Sequence, residues 1–323
     1  MWLQARMYLL LGLMFAIVYA LFVAAGAYMG VGSFTLYAIL AVVMLFIQYM
    51  IGPKLIELSM RIRYVSEEEA PELHQMVSDL AMKAGIKKPR IAISKVNIPN
   101  AFAFGRSVSD GRVCVTEGIL KLLNKDELKA VLGHELSHIK NRDVITMTML
   151  SVVPIICWYL AWSFMFSNRR NRGNAALLGL VAFVLYFITN LLVLYGSRIR
   201  EYYADRGSVA LGNQPHYLAS ALYKLVYGSA RAPRDAIKQM EGYKAFFLND
   251  PSRARAEINE LGAVDEDMSG TVDREELMNL RGKRIKISTS DRLMELFSTH
   301  PNMLKRIRYL STLSPAGETR VIY

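Results

Sequence analysis

Four uncharged apolar stretches, Met7–Gly30, Val31–Gly52, Val144–Asn168 and Gly173–Ser197, constrain this chain more than any other feature. A helix rises 1.5 Å per residue, so about 20 apolar residues cross a hydrocarbon core roughly 30 Å thick, and each stretch is long enough. Hydrophobic residues make up 53% of the chain while 21% are charged, so the charges must be segregated into parts that lie outside the spans. The expectation is a polytopic membrane protein with four transmembrane helices in two hairpins. Arg6 before the first run also fits a signal peptide, but the run exceeds the usual 7–15 residues and a second span follows at once, so it reads as a retained anchor.

Basic residues orient the chain. The turn Gly30–Ser33 has none, whereas Arg6 precedes the first span and Lys54, Arg61 and Arg63 follow the second, which puts the N-terminus and the soluble part on the cytoplasmic side. The second hairpin is less clear-cut. Its loop Ser167–Asn174 carries Arg169, Arg170 and Arg172, against Lys140, Arg142, Arg198 and Arg200 on its flanks. Full spanning and partial burial both remain open for it, with Pro154 marking a kink and Asn190 a polar contact.

Between the hairpins lies His134-Glu135-Leu136-Ser137-His138, an HExxH sequence inside a segment, 124–141, that reads as a helix. Asn124 with Glu127 three residues on forms a capping box, and Leu128, Val131 and Leu132 supply an apolar stripe. Positions i and i+4 share a helix face, so both imidazoles reach one zinc ion while Glu135 faces the water to be activated. A catalytic zinc needs a third protein ligand. Glu201, in Glu201-Tyr202-Tyr203-Ala204-Asp205, is the candidate, with Asp205 one turn on to accept a hydrogen bond from a ligand imidazole. The second hairpin separates HExxH from Glu201, which places zinc near the bilayer surface.

These sequences, with Asn100-Ala101-Phe102-Ala103-Phe104-Gly105 upstream and His300-Pro301 plus Arg306 downstream, resemble the HtpX-type membrane metalloproteases, relatives of the CAAX prenyl proteases. The resemblance implies an integral membrane zinc metalloendopeptidase of the gluzincin kind, multi-pass in the cell membrane, acting on misfolded or damaged membrane proteins. The fold class is mainly α, of α+β type, with a zincin-like cytoplasmic domain that contains a small β-sheet.

The organisation that follows is a transmembrane hairpin over 1–55, the HExxH part of the protease domain over 56–143, and a second hairpin over 144–197. The third-ligand part covers 198–251, an insertion 252–287, and a C-terminal part 288–323. Helical periodicity over 67–84 and short strands at 90–95, 101–105 and 112–115 put a small sheet ahead of the zinc helix. Asn100, Ala101, Phe102 and Ala103 read either as an ordinary core strand or as an edge that hydrogen-bonds extended substrate, and the resemblance favours the edge. His300 and Arg306 are candidates for stabilising the transition state or for ordering the ligand helix.

The insertion departs from the family pattern. Asp265, Asp267, Ser269, Thr271, Asp273 and Glu276 occupy the ligand positions of an EF-hand loop, with Gly270 at the sharp turn, so Ca2+ joins Zn2+ as a candidate cofactor. An acidic solvated loop is the plainer reading. The charge of +11 suits anionic lipid headgroups, and no recognition motif supports nucleic acid as a partner. Polypeptide substrates and the lipid bilayer are the expected partners. Cys114 and Cys157 offer neither a disulfide framework nor zinc-ligand spacing, and His74 and His216 stand alone. Two alternative functions remain: a CAAX-type prenyl protease, or an inactive, calcium-responsive membrane scaffold.

Overall fold

A computed structural model of the chain describes residues 9, 13, 16–17, 34–165, 172–231, 248, 254–262, 264–283 and 289–314. The chain divides into two compact units, one of Met1–Gly52 with Ile145–Ile199 and one of Pro53–Val144 with Arg200–Tyr323. Most of the expected first span, 7–30, lies outside the described residues. The second falls on α1 (Phe34–Ser59), the third on α5 (Asp143–Met165) and the fourth on α6 (Arg172–Ala210). Among the described residues two helical segments, Ile145–Met165 and Ala175–Ala210, are long and apolar enough to cross a membrane. Their surfaces fit lipid better than water, since Trp162, Leu177, Leu180 and Phe187 are each more than half exposed.

Within the first unit, Leu150, Val153 and Cys157 of α5 pack with Leu185, Tyr186 and Leu192 of α6. Asn190 makes its polar contact within its own helix, where Nδ2 donates to Tyr186 O one turn back. Thr189 Oγ1, 3.9 Å from Cys157 Sγ, lies closer to the facing helix.

The second unit is built on a four-stranded sheet of order β1-β2-β4-β3, with β1 (Ile62–Tyr64), β2 (Arg90–Ser94), β3 (Ala101–Phe104) and β4 (Arg112–Thr116). β3 and β4 form the expected antiparallel hairpin, β2 runs parallel to β4, and β1, whose Arg63 reads with Arg61 as a juxtamembrane patch, adds an unanticipated edge. Alternation sorts side chains to two faces. Ile91, Ala101, Val113 and Val115 enter the main core with α2 (Pro71–Ala84) and α4 (Lys125–Lys140), while Phe102, Phe104 and Cys114 join a smaller one with Met60 and Ile98. Helix α2 begins at Pro71 rather than at residue 67, because proline fits the first turn and Ser66 and Glu69 are tied to each other in the preceding turn.

The cap of α4 is as read from the sequence: Asn124 Oδ1 accepts from Glu127 N and Glu127 Oε2 accepts from Asn124 N. The remaining carboxylate capacity of Glu127 takes Ser220 Oγ and Lys224 Nζ from α7 (Pro215–Ala230), locking α4 to α7. Helices α8 (Ala254–Leu261) and α11 (Met303–Ser311) pack on α7, and α9 (Arg274–Gly282) packs on α11. Two short helices, α3 (Glu117–Leu122) and α10 (Thr289–Leu296), complete the described elements.

Glycines let α4 and the end of α6 meet at backbone distance. A Cβ on Gly207 would sit 2.2 Å from Ser137 Oγ, and one on Gly133 would sit 2.4 Å from Asn213 Nδ2. The approach is tied by Ser208 Oγ, which donates to Ala130 O at 2.6 Å. The result is that residues 134–138 and 201–205 face one another.

Candidate active site

The i, i+4 spacing on α4 turns both imidazoles to one side, and Glu201 arrives from α6. His134 Nε2 and His138 Nε2 are 3.1 Å apart, and they lie 3.5 and 3.6 Å from Glu201 Oε2 and Oε1 respectively. A tetrahedral ion with bonds of about 2.0–2.1 Å needs ligand atoms roughly 3.3–3.4 Å apart, so the three side chains have the spacing zinc demands. Their electronic state agrees with that spacing. The Nδ1 atoms of both rings face carboxylates, His138 in a 2.6 Å hydrogen bond with Asp143 Oδ2 and His134 2.9 Å from Asp205 Oδ1, close enough for attraction but not aligned as a hydrogen bond, so the Nε2 atoms of both rings are turned to the same point. At 3.1 Å the two Nε2 atoms share either a proton or a metal ion, since two bare lone pairs would repel. Glu201 Oε2 is buried with no hydrogen-bond partner, a third lone pair facing that point.

Asp205 and Arg306 form a buried clamp behind these ligands. Arg306 Nε and Nη2 donate to the two oxygens of Asp205 at 3.1 and 2.7 Å, Nη1 donates to Leu248 O at 2.9 Å, and none of the side chain is exposed. The same Nη1 is 3.1 Å from Glu201 Oε2, close enough for attraction but not aligned as a hydrogen bond. All three guanidinium nitrogens are thus engaged, so of the two roles read from the sequence Arg306 has the geometry for ordering the ligand helix. His300 differs: it is buried, neither ring nitrogen has a hydrogen-bond partner among the described residues, and Nδ1 is 3.6 Å from Glu201 Oε2.

Burial opposes ionisation of Glu201 and Asp205, but Arg306, His134 and, for Glu201, His300 hold both carboxyls below their ordinary range. Burial likewise disfavours a charged His134, yet its contacts with Asp205 and Glu201 bring its pKa up from 6.5 to about 9 before a metal binds. Glu135 is 3% exposed, and burial pushes its carboxyl up against the pull of the two histidines and of the Ala103 main chain. A carboxylate raised in this way is better matched to proton transfer near neutral pH.

β3 lies along α4 at the edge of the sheet. Thr116 N donates to Asn100 O, and antiparallel ladders alternate, so the main-chain groups of Asn100 and Phe102 turn toward β4 while those of Ala101 and Ala103 turn outward. Of the four expected substrate contacts, two are therefore already used in the sheet. Asn100 has another task, accepting from Leu248 N through Oδ1 at 2.9 Å, and Phe102 packs inward.

The insertion forms a helix–loop–helix from α8 to α9. Ligand atoms of Asp265, Asp267 and Glu276 lie within 4.8 Å of one another. Gly270, at φ +81°, takes the left-handed turn. Asp273 and Glu276 make a capping box for α9, Asp265 accepts from Ser269 N, Gly270 N and Tyr223 OH, and Ser269 and Thr271 bond to each other. The loop is thus closed by protein hydrogen bonds. His74 Nε2 lies 3.0 Å from Val65 O, and the two cysteines are buried free thiols.

Sequence reasoning passed over Asp143. It reads as the polar start of a span, and the only clue was its place five residues beyond His138.

Comparison with known proteins agrees with this geometry. Residues 67–314 match the profile of peptidase family M48. A Protease HtpX homolog of Methanothermobacter thermautotrophicus is 55% identical over 224 residues, which cover 69% of this chain and 86% of that one. Another, from Moorella thermoacetica, is 35% identical over 326 residues, covering 98% and 96%. Among solved structures, S. mikatae Ste24p superposes with a TM-score of 0.50 at 16% identity, over 91% of this chain and 62% of that longer one, a likeness of fold.

Proposed function

The chain belongs to peptidase family M48, and on that footing we propose that it is a membrane-embedded, zinc-dependent endopeptidase that hydrolyses misfolded or damaged membrane proteins. The observation that carries the reading is the set of three lone pairs, from His134, His138 and Glu201, converging at 3.1–3.6 Å beside buried Glu135. Zinc bound there supplies the Lewis acidity that polarises a peptide carbonyl and acidifies water. Glu135 takes the proton from the attacking water and passes it to the leaving amine. The outward N–H and C=O groups of Ala101 and the outward C=O of Ala103, whose N–H is turned to Glu135, hold the substrate backbone as an added strand, extended beside α4. His300, buried with its ring nitrogens unpaired among the described residues, donates to the carbonyl oxygen as negative charge develops on it.

The test is to incubate zinc-loaded protein with a misfolded membrane protein and a prenylated peptide in parallel. Cleavage of the first and not the second supports the proposal, and the reverse selects prenyl-protease chemistry. Membrane orientation follows the basic residues after α1: cysteines placed at Asp126 and Ser33 should label from the cytoplasmic and opposite faces respectively.

The grouping of Asp265, Asp267 and Glu276 favours a second reading, in which the insertion takes calcium and exchanges its internal hydrogen bonds for oxygen ligation. Calcium titration of the Glu135→Gln protein tests it. No saturable heat up to about 1 mM, the weak end of known loops, refutes it.

A further inference from the structure

Each imidazole at the site has a carboxylate behind it, and the two are supplied differently. Asp205 sits on the same helix as Glu201 and has its charge neutralised by a two-pronged contact with Arg306. Asp143 comes from the first turn of α5, and its nearest cationic contact, with Arg200 Nη1, is 3.8 Å, too long for a hydrogen bond. The chain makes a deliberate turn to deliver it. After the last residue of α4, Arg142 adopts φ +57°, a left-handed conformation unfavourable for a non-glycine residue, and this brings Asp143 back under His138. The contact that results is short, 2.6 Å from Oδ2 to Nδ1, and Asp143 is only 6% exposed.

We propose that Asp143 is the positioning residue for His138: by accepting the Nδ1–H it fixes the tautomer whose Nε2 lone pair faces the metal, and it makes that nitrogen more basic. His138 needs this more than His134 does. It is the less enclosed of the two rings, with 14% of its side chain exposed against none for His134, so packing alone does not hold its ring plane. Asp143 also faces Arg200, next to Glu201, and so lies between the His138 helix and the Glu201 helix. The inference rests on the zinc reading given above.

The experiment measures zinc affinity of the full-length, detergent-solubilised protein by competition with a chelator. Glu201→Ala, Asp143→Ala and Asp143→Asn are compared with wild type, together with the thermal midpoint of each zinc-free form and the visible spectrum of each cobalt(II)-loaded form. Asp143→Ala should weaken zinc by about 10- to 100-fold, the usual effect of removing such a partner. Asp143→Asn, which keeps an acceptor oxygen but not the charge, should fall between it and wild type and shift the cobalt spectrum. The zinc-free midpoint should change little in the Asn variant, which carries the test if the Ala variant does not fold. Zinc affinity within twofold of wild type in the Asp143 variants, with Glu201→Ala losing zinc, overturns the role of Asp143 and leaves the site standing. Unchanged zinc in Glu201→Ala overturns the site, and the inference with it.

Discussion

Gly207→Ala tests whether the zinc geometry depends on how closely α4 and α6 approach. The new Cβ would lie 2.2 Å from Ser137 Oγ and 2.6 Å from Ser137 Cβ. Rotating the serine hydroxyl relieves the first clash, at the loss of its 2.8 Å hydrogen bond to Gly133 O, but the second clash is between atoms fixed to two backbones. Carbon atoms pack at about 3.5–4.0 Å, so the helices must separate locally by roughly 1 Å. Overpacking of this kind costs about 1–3 kcal/mol, while alanine gains up to about 1 kcal/mol over glycine in a helix, so overall stability is a poor readout. Zinc is the better one. Ser137 adjoins His138 and Gly207 lies six residues beyond Glu201, and coordination tolerates only about ±0.2 Å, so an opening near 1 Å should weaken zinc at least tenfold. Chelator competition measures this directly. Adding Ser137→Gly removes both clashing atoms and should restore binding. Wild-type zinc affinity in Gly207→Ala, or no recovery in the double variant, would refute the argument.

Glu135→Gln should retain zinc and lose peptidase activity by at least about 100-fold, since the amide keeps the shape and cannot take a proton; near-normal turnover would exclude Glu135 as the base. Arg306→Lys should destabilise the protein by about 3–5 kcal/mol in denaturant unfolding, because a single ammonium cannot reproduce the two-pronged contact that neutralises buried Asp205. A loss below about 1 kcal/mol, the scale of an exposed ion pair, would contradict that role. In the zinc-free protein His134 is raised from 6.5 to about 9. Its protonation therefore stabilises the fold fully below pH 6.5, and that contribution is lost as pH rises through about 9. Zinc loading at pH 7.5 must then displace a proton, seen calorimetrically as a binding heat that varies with the ionisation enthalpy of the buffer. Identical heats in such buffers would disprove it.

What could be read from the sequence was whatever repeats along a helix. His134 and His138, Glu201 and Asp205, and Asn124 with Glu127 are all pairs three or four residues apart, where helix geometry alone fixes the relation. Distant pairings carry no such signal. Arg306 finds Asp205 across 101 residues, so its engagement, which argues for ordering the helix over touching the substrate, needed the fold. Strand β1 is too short and too charged to show a period, and the outward groups of β3 follow from which of its residues bond to β4. The polar contact expected at Asn190 could be read from the sequence but its partner could not, since Tyr186 O on its own helix takes the bond.

Leu248 ties Asn100 and Arg306 to each other through its own main chain. Its N–H is held by Asn100 at the head of the edge strand, and its carbonyl holds Arg306, the residue that fixes Asp205 beside His134. Strand and ligand helix are thus links in series on one residue. Displacing Leu248 would therefore loosen the head of the edge strand and the brace on Asp205 together.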